Sequence, residues 1–362
     1  MLKNIKVLII DDSAFMRKLI TDFLSEDSRI EVIGTARNGE EGLKKIEQYK
    51  PDVVTLDIEM PVMNGLDCLK QIMQRFPVPV IMLSSTTKVN ADNTILAMRY
   101  GAFDFIAKPS GPISLDLVKI KQELIEKIKA ANAANIKELA STSINIKKSV
   151  KKQIEYSNIE LESKQRIIMQ KDHIPSIICI GTSTGGPMAL QKVVEKLPKE
   201  INAIILIVQH MPAKFTKSLA NRLNQLSEIS VKEAEDGEKL KKGVAYIAPG
   251  GYHLSVEHKN HGLTALITET PPVNGHRPSV DVLFESISQV IGYSKVAVIM
   301  TGMGSDGAKG VQLLKIDASV KVIAESEETA IVYGMPKAAI STKLVDEVKP
   351  INKIAETILK YV

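Results

Sequence analysis

The second half of this chain takes its fold from the stretch Ser176-Ile177-Ile178-Cys179-Ile180-Gly181-Thr182-Ser183-Thr184-Gly185-Gly186-Pro187. The apolar run at its start predicts a buried strand, and the glycines that follow permit a sharp turn. Pro187 stands where a helix would begin, because its fixed φ suits the first helical position. A serine lifted out of a sheet on such a turn can act as a nucleophile if a histidine reaches it.

Strands and helices alternate through the rest of this half. Strands are predicted at 177–180, 203–209, 295–300 and 320–324, and helices at 187–197, 215–226, 280–291 and 308–315. Between 231 and 268, β segments broken by turn signals predict hairpins attached to the sheet. The pattern favours an α/β domain over 174–362 with an added β-hairpin region.

The first half repeats the same logic in five strand–helix units. Strands are predicted at 6–10, 30–36, 53–56, 80–84 and 103–107, and helices at 14–25, 40–48, 66–75, 91–100 and 113–130. We therefore predict a domain over 1–129 built on a five-stranded parallel sheet. The lysine-rich segment 130–173, which lacks Gly and Pro from 131 to 172, predicts a linker or alternatively a docking segment for a partner.

Composition narrows the class of protein. At 362 residues, with 44% hydrophobic and 25% charged residues, the chain suggests a globular protein of two domains. Without a signal peptide or a run of about 18 apolar residues, no membrane insertion is expected. Two cysteines argue against a disulfide framework and favour the cytoplasm. The net charge of +5 and the absence of Trp argue against nucleic-acid binding.

Three acidic residues follow two strands of the N-terminal sheet. Asp11 and Asp12 come after the first strand, and Asp57 comes after the third. The carboxyl ends of parallel strands bind ligands, and carboxylates gathered there suit Mg²⁺. Ser84 and Lys108 follow two further strands, so the set suits phosphoryl transfer to a carboxylate. The alternative is that these residues are strand-end caps and turn residues.

This set closely resembles a response-regulator receiver domain with a flavodoxin-like fold. The resemblance rests on Asp11-Asp12, Leu56-Asp57-Ile58-Glu59-Met60-Pro61, Asn64-Gly65, Ser84 and Lys108-Pro109. It implies that a histidine kinase phosphorylates Asp57 while Asp11, Asp12 and Asp57 hold Mg²⁺. It also implies that Lys108 contacts the phosphoryl oxygens, and that Ser84 and Phe105 report phosphorylation to a distant face.

Three strand ends of the C-terminal half carry acyl-transfer chemistry. Ser183, His210 and Asp306 each follow a predicted strand, so we expect a nucleophile, a base and a group that orients the base. The glycines beside Met303 leave backbone N–H groups free to face an oxyanion. The order serine, histidine, aspartate along the chain differs from the serine, acid, histidine order of α/β-hydrolases, which disfavours that fold.

The C-terminal half also contains a glycine-rich turn and a group of histidines. The glycine-rich turn 181–186 could cradle a phosphate, but it lacks the spacing of a P-loop or a dinucleotide site. His253, His258 and His261 could suggest a metal, yet a predicted hairpin without cysteine favours solvated histidines.

The C-terminal part resembles the catalytic domain of chemotaxis protein-glutamate methylesterases, the CheB family, whose fold is a doubly wound, Rossmann-like α/β domain. The resemblance rests on 181–186, Gln209-His210-Met211-Pro212, Ala248-Pro249-Gly250, His276-Arg277-Pro278-Ser279-Val280-Asp281 and Thr301-Gly302-Met303-Gly304. It implies hydrolysis of glutamyl methyl esters on methyl-accepting chemoreceptors, and often deamidation of receptor glutamines. Ser183, His210 and Asp306 match the family's triad, and the Met303 N–H its oxyanion contact. No cofactor is expected for the esterase reaction.

The order of the two domains suggests how the activity is controlled. A receiver tethered to a hydrolase suggests that the unphosphorylated receiver covers the active site and that phosphorylation of Asp57 loosens the contact. The rival from another class is a receptor-docking module that has lost catalysis. A DNA-binding output is disfavoured, because no helix-turn-helix pattern follows the linker.

Overall fold

The computed structural model describes residues 4–108, 114–134, 174–259 and 262–362. Most of the predicted linker, residues 135–173, and His261 lie outside the described residues. Within the described ranges, no helix combines the length and the apolar character needed to cross a bilayer.

The N-terminal domain is a parallel sheet of five strands in the order β2-β1-β3-β4-β5. Its strands are β1 Ile5–Ile10, β2 Ile30–Ala36, β3 Val53–Asp57, β4 Val80–Ser84 and β5 Asp104–Ala107. Its helices are α1 Ala14–Ser25, α2 Gly39–Tyr49, α3 Gly65–Arg75, α4 Lys88–Arg99 and α5 Ser114–Asn132. The predicted five-stranded receiver fold is confirmed. The central strands β3 and β4 are buried at every position, as expected when helices cover both faces.

The C-terminal domain is built on a seven-stranded sheet in the order β14-β13-β12-β6-β7-β9-β8, with every neighbouring pair parallel. Its strands are β6 Ser176–Thr182, β7 Ala203–Gln209, β8 Ser230–Glu233, β9 Val244–Ile247, β12 Ser294–Ile299, β13 Lys321–Glu325 and β14 Glu347–Lys349. Its helices are α6 Gly186–Val194, α7 Phe215–Leu226, α8 Val280–Ser288, α9 Ala308–Leu314, α10 Met335–Ser341 and α11 Ile351–Ile358.

Strand β6 shows why this sheet is doubly wound. Ile178 and Ile180 join one apolar cluster, while Ile177 and Cys179 join another. Successive side chains of a strand point to opposite faces, so each face of β6 is covered by its own apolar layer. The strand's continuous apolar run is the pattern of a strand buried on both sides.

The region 231–268 differs in part from its prediction. The strands β10 His253–Lys259 and β11 Gly262–Thr268 form the expected antiparallel hairpin. By contrast, β8 and β9 pair in parallel and extend the main sheet, so the hairpin prediction is wrong for these two. The turn signals between them lie in a crossover segment that hydrogen-bonds to β11, not in a tight reversal. The elements α10, β14 and α11 were not predicted, although the buried positions Ile351, Ile354, Ala355 and Ile358 give α11 a helical period.

The two domains pack against each other. Helix α4 of the first domain contacts α7 of the second. One apolar cluster includes residues of both domains, among them Met98 and Phe105 from the first and Phe215 and Ala220 from the second. The ring of Phe105 stacks on that of Phe215 with 4.6 Å between centroids. The receiver therefore lies directly against the C-terminal domain.

Candidate active site and receiver site

Ser183 lies on the turn between β6 and α6. Gly185 has a φ of +78°, a conformation that favours glycine, and α6 begins at Gly186 with Pro187 at its start, as predicted. The Ser183 N–H donates to Thr301 O at 3.0 Å. On its other side, Ser183 O accepts from the Gly186 N–H at 2.8 Å, so backbone bonds fix both flanks of the turn. Within the described residues, the Ser183 hydroxyl has no hydrogen-bond partner.

His210 follows the neighbouring strand β7, whose last residue pairs with Thr182. Its N–H donates to Thr182 O at 3.2 Å, and Gln209 Nε2 donates to Ser183 O at 2.9 Å. These bonds hold the serine turn and the histidine side by side. The His210 ring is buried, and its Nε2 lies 2.8 Å from Asp306 Oδ2. Its Nδ1 is buried without a hydrogen-bond partner in the described chain.

Asp306 is 1% exposed and lies at the N-terminus of α8. Besides the His210 bond, Oδ2 accepts from the Val280 N–H at 2.7 Å. Oδ1 accepts from Ser279 Oγ at 2.8 Å, from Asn274 Nδ2 at 3.1 Å and, more weakly, from the Asp281 N–H at 3.2 Å. Burial acts to raise the pKa of Asp306, but the His210 hydrogen bond and charge, together with the other donors, hold it well below the ordinary value.

This geometry assigns the two ring nitrogens of His210. An ionised Asp306 only accepts hydrogen bonds, so Nε2 carries the proton that faces it, and in a neutral ring the free lone pair is on Nδ1. Nδ1 is therefore the atom that can take a proton. The Ser183–His210 hydrogen bond is not formed here, and such bonds commonly tighten only when substrate is bound.

The segment after β12, residues 301–303, lies against the Ser183 turn. The Thr301 N–H donates to Glu325 Oε2 at 2.8 Å, and Thr301 Oγ1 donates to Thr184 O at 2.9 Å. A Cβ built on Gly302 would lie 2.8 Å from Ser183 Cβ, so the glycine permits this close approach. The next residue is Met303, whose N–H has no hydrogen-bond partner among the described residues. An N–H at this position can face an oxyanion beside Ser183.

The donors around Asp306 were not predicted. Ser279, Val280 and Asp281 carried only the family resemblance, without a role. A serine directly before a predicted helix is a signal for a helix N-terminus that favours a negative charge. The sequence could not say which carboxylate would occupy it.

The histidines of the predicted hairpin differ from one another. His258 is exposed, as expected. His253 is fully buried, so its interpretation as a solvated histidine is wrong. Its Nε2 is 3.2 Å from Pro271 O, and its Nδ1 accepts from the Ser279 N–H at 3.2 Å. His253 therefore supports the backbone that holds Asp306.

The acidic residues of the receiver come together as predicted. Carboxylate oxygens of Asp11, Asp12 and Asp57 lie within 4.8 Å of one another. Lys108 Nζ lies 2.9 Å from Asp11 Oδ2 and 2.8 Å from Asp57 Oδ1. Burial raises the pKa of Asp57 to about 6, against the opposing effect of Lys108. Three carboxylates with a single lysine leave negative charge uncompensated, and such a donor set fits a hard divalent cation.

The other two receiver residues, Ser84 and Phe105, have different surroundings. The Ser84 hydroxyl is buried and accepts from Thr94 Oγ1 at 2.8 Å, while Ser84 O accepts from the Lys108 N–H at 2.7 Å. Phe105 is buried against Phe215 of the second domain. The structure thus places Phe105 in the domain interface.

The receiver also touches the serine turn. Thr184 Oγ1 donates to Asp104 Oδ2 at 2.6 Å, and Lys127 Nζ lies 3.3 Å from the same oxygen. Lys127 Nζ also donates to Phe105 O at 2.6 Å. A residue adjacent to Ser183 is therefore hydrogen-bonded to the other domain.

Comparison with known proteins agrees with both parts of the molecule. A family model described as CheB methylesterase matches residues 178–358, and one described as response regulator receiver domain matches residues 7–118. A crystal structure of the Thermotoga maritima CheB methylesterase catalytic domain is 45% identical, with a TM-score of 0.50. The match covers 52% of this chain and 99% of that one.

Full-length relatives are similar over both domains. The protein-glutamate methylesterase/protein-glutamine glutaminase of Geobacillus kaustophilus is 54% identical over 100% of this chain and 99% of its own length. The Bacillus subtilis protein of the same name is 52% identical over 99% of this chain and 98% of its own. Together with the fold and the two sites, these matches show that the chain belongs to the CheB family of receiver-regulated methylesterases.

Proposed function

We propose that Ser183, His210 and Asp306 form the catalytic triad of a protein-glutamate methylesterase that acts on methyl-accepting chemoreceptors. The hydrogen bond between His210 Nε2 and Asp306 Oδ2, which leaves a buried Nδ1 beside the Ser183 turn, carries this proposal. The printed names of the full-length relatives support the reaction. No cofactor takes part in it.

In the first half-reaction, Ser183 Oγ attacks the carbonyl carbon of the glutamyl ester. His210 Nδ1 takes the hydroxyl proton, and Asp306 stabilises the resulting imidazolium. The carbonyl oxygen becomes an oxyanion that accepts from the Met303 N–H, a contact worth about 10²–10³-fold in rate. His210 then gives its proton to the methoxy oxygen, methanol leaves, and the glutamyl group remains on Ser183.

In the second half-reaction, water replaces the leaving group. His210 Nδ1 takes a proton from water, whose oxygen attacks the acyl carbon, and collapse returns the proton to Ser183. The products are a receptor glutamate and free enzyme. The same steps on a glutamine side chain would release ammonia, so we include glutaminase activity, which the relatives carry in their printed name.

Phosphorylation of the receiver would regulate this site. In our proposal a chemotaxis histidine kinase phosphorylates Asp57, with Mg²⁺ held by Asp11, Asp12 and Asp57 and with Lys108 on the phosphoryl oxygens. When bound, the cation would neutralise charge on the transferred group. The Asp104–Thr184 bond supports a restrained esterase before phosphorylation, because it joins the receiver to the nucleophile turn. Ser84 and Phe105 would link phosphorylation of Asp57 to release of the esterase site.

The remaining assignments follow the same proposal. We divide the chain into a receiver at 1–129, a linker at 130–173 and a methylesterase domain at 174–362. Both cysteines are buried and free, which supports a reducing cytoplasm. We assign no nucleic-acid partner.

Ser183→Ala tests the assignment. We expect the variant to fold normally and to lose methanol release from methylated receptor almost completely, because the flanking hydroxyls of Thr182 and Thr184 are held by Thr301 O and Asp104. Ser341→Ala, at an exposed serine, is the matched control and should retain full activity. Near-normal turnover by Ser183→Ala would contradict the triad. Absence of methanol release by the native chain would instead favour a receptor-docking module.

A further inference from the structure

His276 lies beside the proposed triad and is not one of its members. The ring of His276 stacks on the ring of His210, with 3.8 Å between centroids and 11° between planes. Within the described residues, neither nitrogen of His276 takes part in a hydrogen bond. What His276 presents to His210 is therefore its flat face.

The backbone holds this ring in place. Val273 and His276 exchange two hydrogen bonds, N–H to O at 3.0 and 2.9 Å, around Asn274 and Gly275. Both central residues have positive φ, 53° and 80°, as in a tight two-residue hairpin. Asn274 Nδ2 then reaches Asp306 Oδ1 at 3.1 Å. The turn that carries His276 is thus tied to the carboxylate that holds His210.

His210 needs such support because its ring is bound at one nitrogen only. Nε2 is fixed on Asp306, while Nδ1 has no partner in the described chain. A ring attached at Cγ and hydrogen-bonded only at Nε2 can still rotate about its Cβ–Cγ bond, and small displacements of a reacting group cost rate steeply. The His276 ring, stacked against the face of the His210 ring, restricts this rotation.

The charge state of His276 suits this role. Burial lowers the pKa of His276 to about 4, and repulsion by His210 acts in the same direction. Asp306 and Glu123 of α5 oppose the shift, while Lys127 of α5 adds to it. At neutral pH the ring is uncharged, so it does not repel the imidazolium that forms on His210. The π face of an aromatic ring instead attracts a cation.

We infer that His276 is a positioning residue that holds the His210 ring in the plane required for proton transfer and supports it once protonated. This inference rests on the proposed function, since it concerns the base of the same triad. It differs from a substrate contact, because it requires an aromatic face and not a ring nitrogen.

Four variants of the full chain test the inference by methanol release from methylated receptor. His276→Ala and His276→Gln remove the aromatic face, and we expect kcat to fall about tenfold with KM changed less than twofold. His276→Phe restores the face without the nitrogens and should recover kcat to within about threefold of the native value. His258→Ala, at an exposed histidine, should match the native enzyme.

The outcomes separate cleanly. Native kcat in His276→Ala and His276→Gln, or a Phe variant as slow as both, would overturn the inference, as would a loss expressed in KM. Thermal melting identifies a variant that does not fold. If His276→Ala does not fold, the comparison of kcat between His276→Gln and His276→Phe tests the role of the aromatic face. Ser183→Ala measured in parallel tests the proposed function itself. An inactive Ser183→Ala beside a fully active His276→Ala would reject only the role of His276.

Discussion

The receiver site and the esterase site each place a buried carboxylate at the carboxyl edge of a parallel sheet, yet the two groups behave in opposite ways. Asp57 is 3% exposed and Asp306 is 1% exposed. Nevertheless, burial raises the pKa of Asp57 to about 6, whereas the pKa of Asp306 lies well below its ordinary value despite burial. Burial alone therefore does not decide the charge of either group.

The difference lies in what surrounds each carboxylate. Asp57 has Lys108 on one oxygen and the negative charge of Asp11 nearby. Asp306 accepts from two side chains, two backbone N–H groups at a helix start, and His210. Hydrogen bonds to the charged form stabilise it, while a like charge does the reverse. The receiver site thus keeps uncompensated negative charge, a donor set that fits a cation, whereas the esterase site carries its compensation in the fold.

The largest test of this comparison is Asp306→Asn. We expect kcat to fall by about 10³–10⁴-fold, because a neutral amide cannot stabilise the His210 imidazolium. The amide NH₂ would also face donors, so the free energy of unfolding should fall by about 1–3 kcal/mol. Methanol release and denaturant unfolding measure the two effects. Asp317→Asn, at an exposed carboxylate, is the control, and a kcat within tenfold of native would contradict the role of Asp306.

The second test concerns Asp57→Asn. The pKa of Asp57 is about 6 in the folded chain and 3.8 in the unfolded chain. The free energy of unfolding therefore falls as the pH rises from about 3.8 through about 6, because the folded state must give up a proton that it binds more tightly. At pH 7 without Mg²⁺ we therefore expect the neutral variant to be more stable by about 1 kcal/mol.

Mg²⁺ sharpens this second test. It should raise the melting temperature of the native chain and leave that of Asp57→Asn nearly unchanged, because a ligand stabilises only the state that binds it. A phosphodonor should label the native chain alone. Asp22→Asn, at an exposed helix position of the receiver, should behave as native. Equal Mg²⁺ stabilisation of native and Asp57→Asn chains would argue against the metal site.

The smallest expected effect comes from Asp104→Ala, which removes the hydrogen bond between the receiver and the serine turn. Loss of the hydrogen bond to Thr184, worth about 0.5–1.5 kcal/mol, should shift the domain contact toward release. We expect the unphosphorylated enzyme to become about two- to fivefold faster, with little change after phosphorylation. Methanol release with and without a phosphodonor measures this. Asp22→Ala is the matched control, and unchanged basal activity would indicate that the contact does not restrain the esterase.

Much of both sites could be predicted from the sequence. Asp57 and Ser183 each follow an apolar run, and the edge of a parallel sheet gathers such strand-end residues. The same argument applies to His210 and Asp306, although nothing in the sequence states which nitrogen of His210 meets the carboxylate. The prediction failed for β8 and β9, because turn signals do not distinguish a hairpin from a crossover between parallel strands.

Local pattern by itself determined most strands and helices and the type of chemistry at each strand end, because these depend on neighbours within about one turn or one strand. Only the tertiary structure decided the charge state of Asp306, the stacking of His276 on His210 and the bond between Asp104 and Thr184. Each of these joins residues that are 25 to 96 positions apart. Such contacts arise from how layers pack, and no local period encodes them.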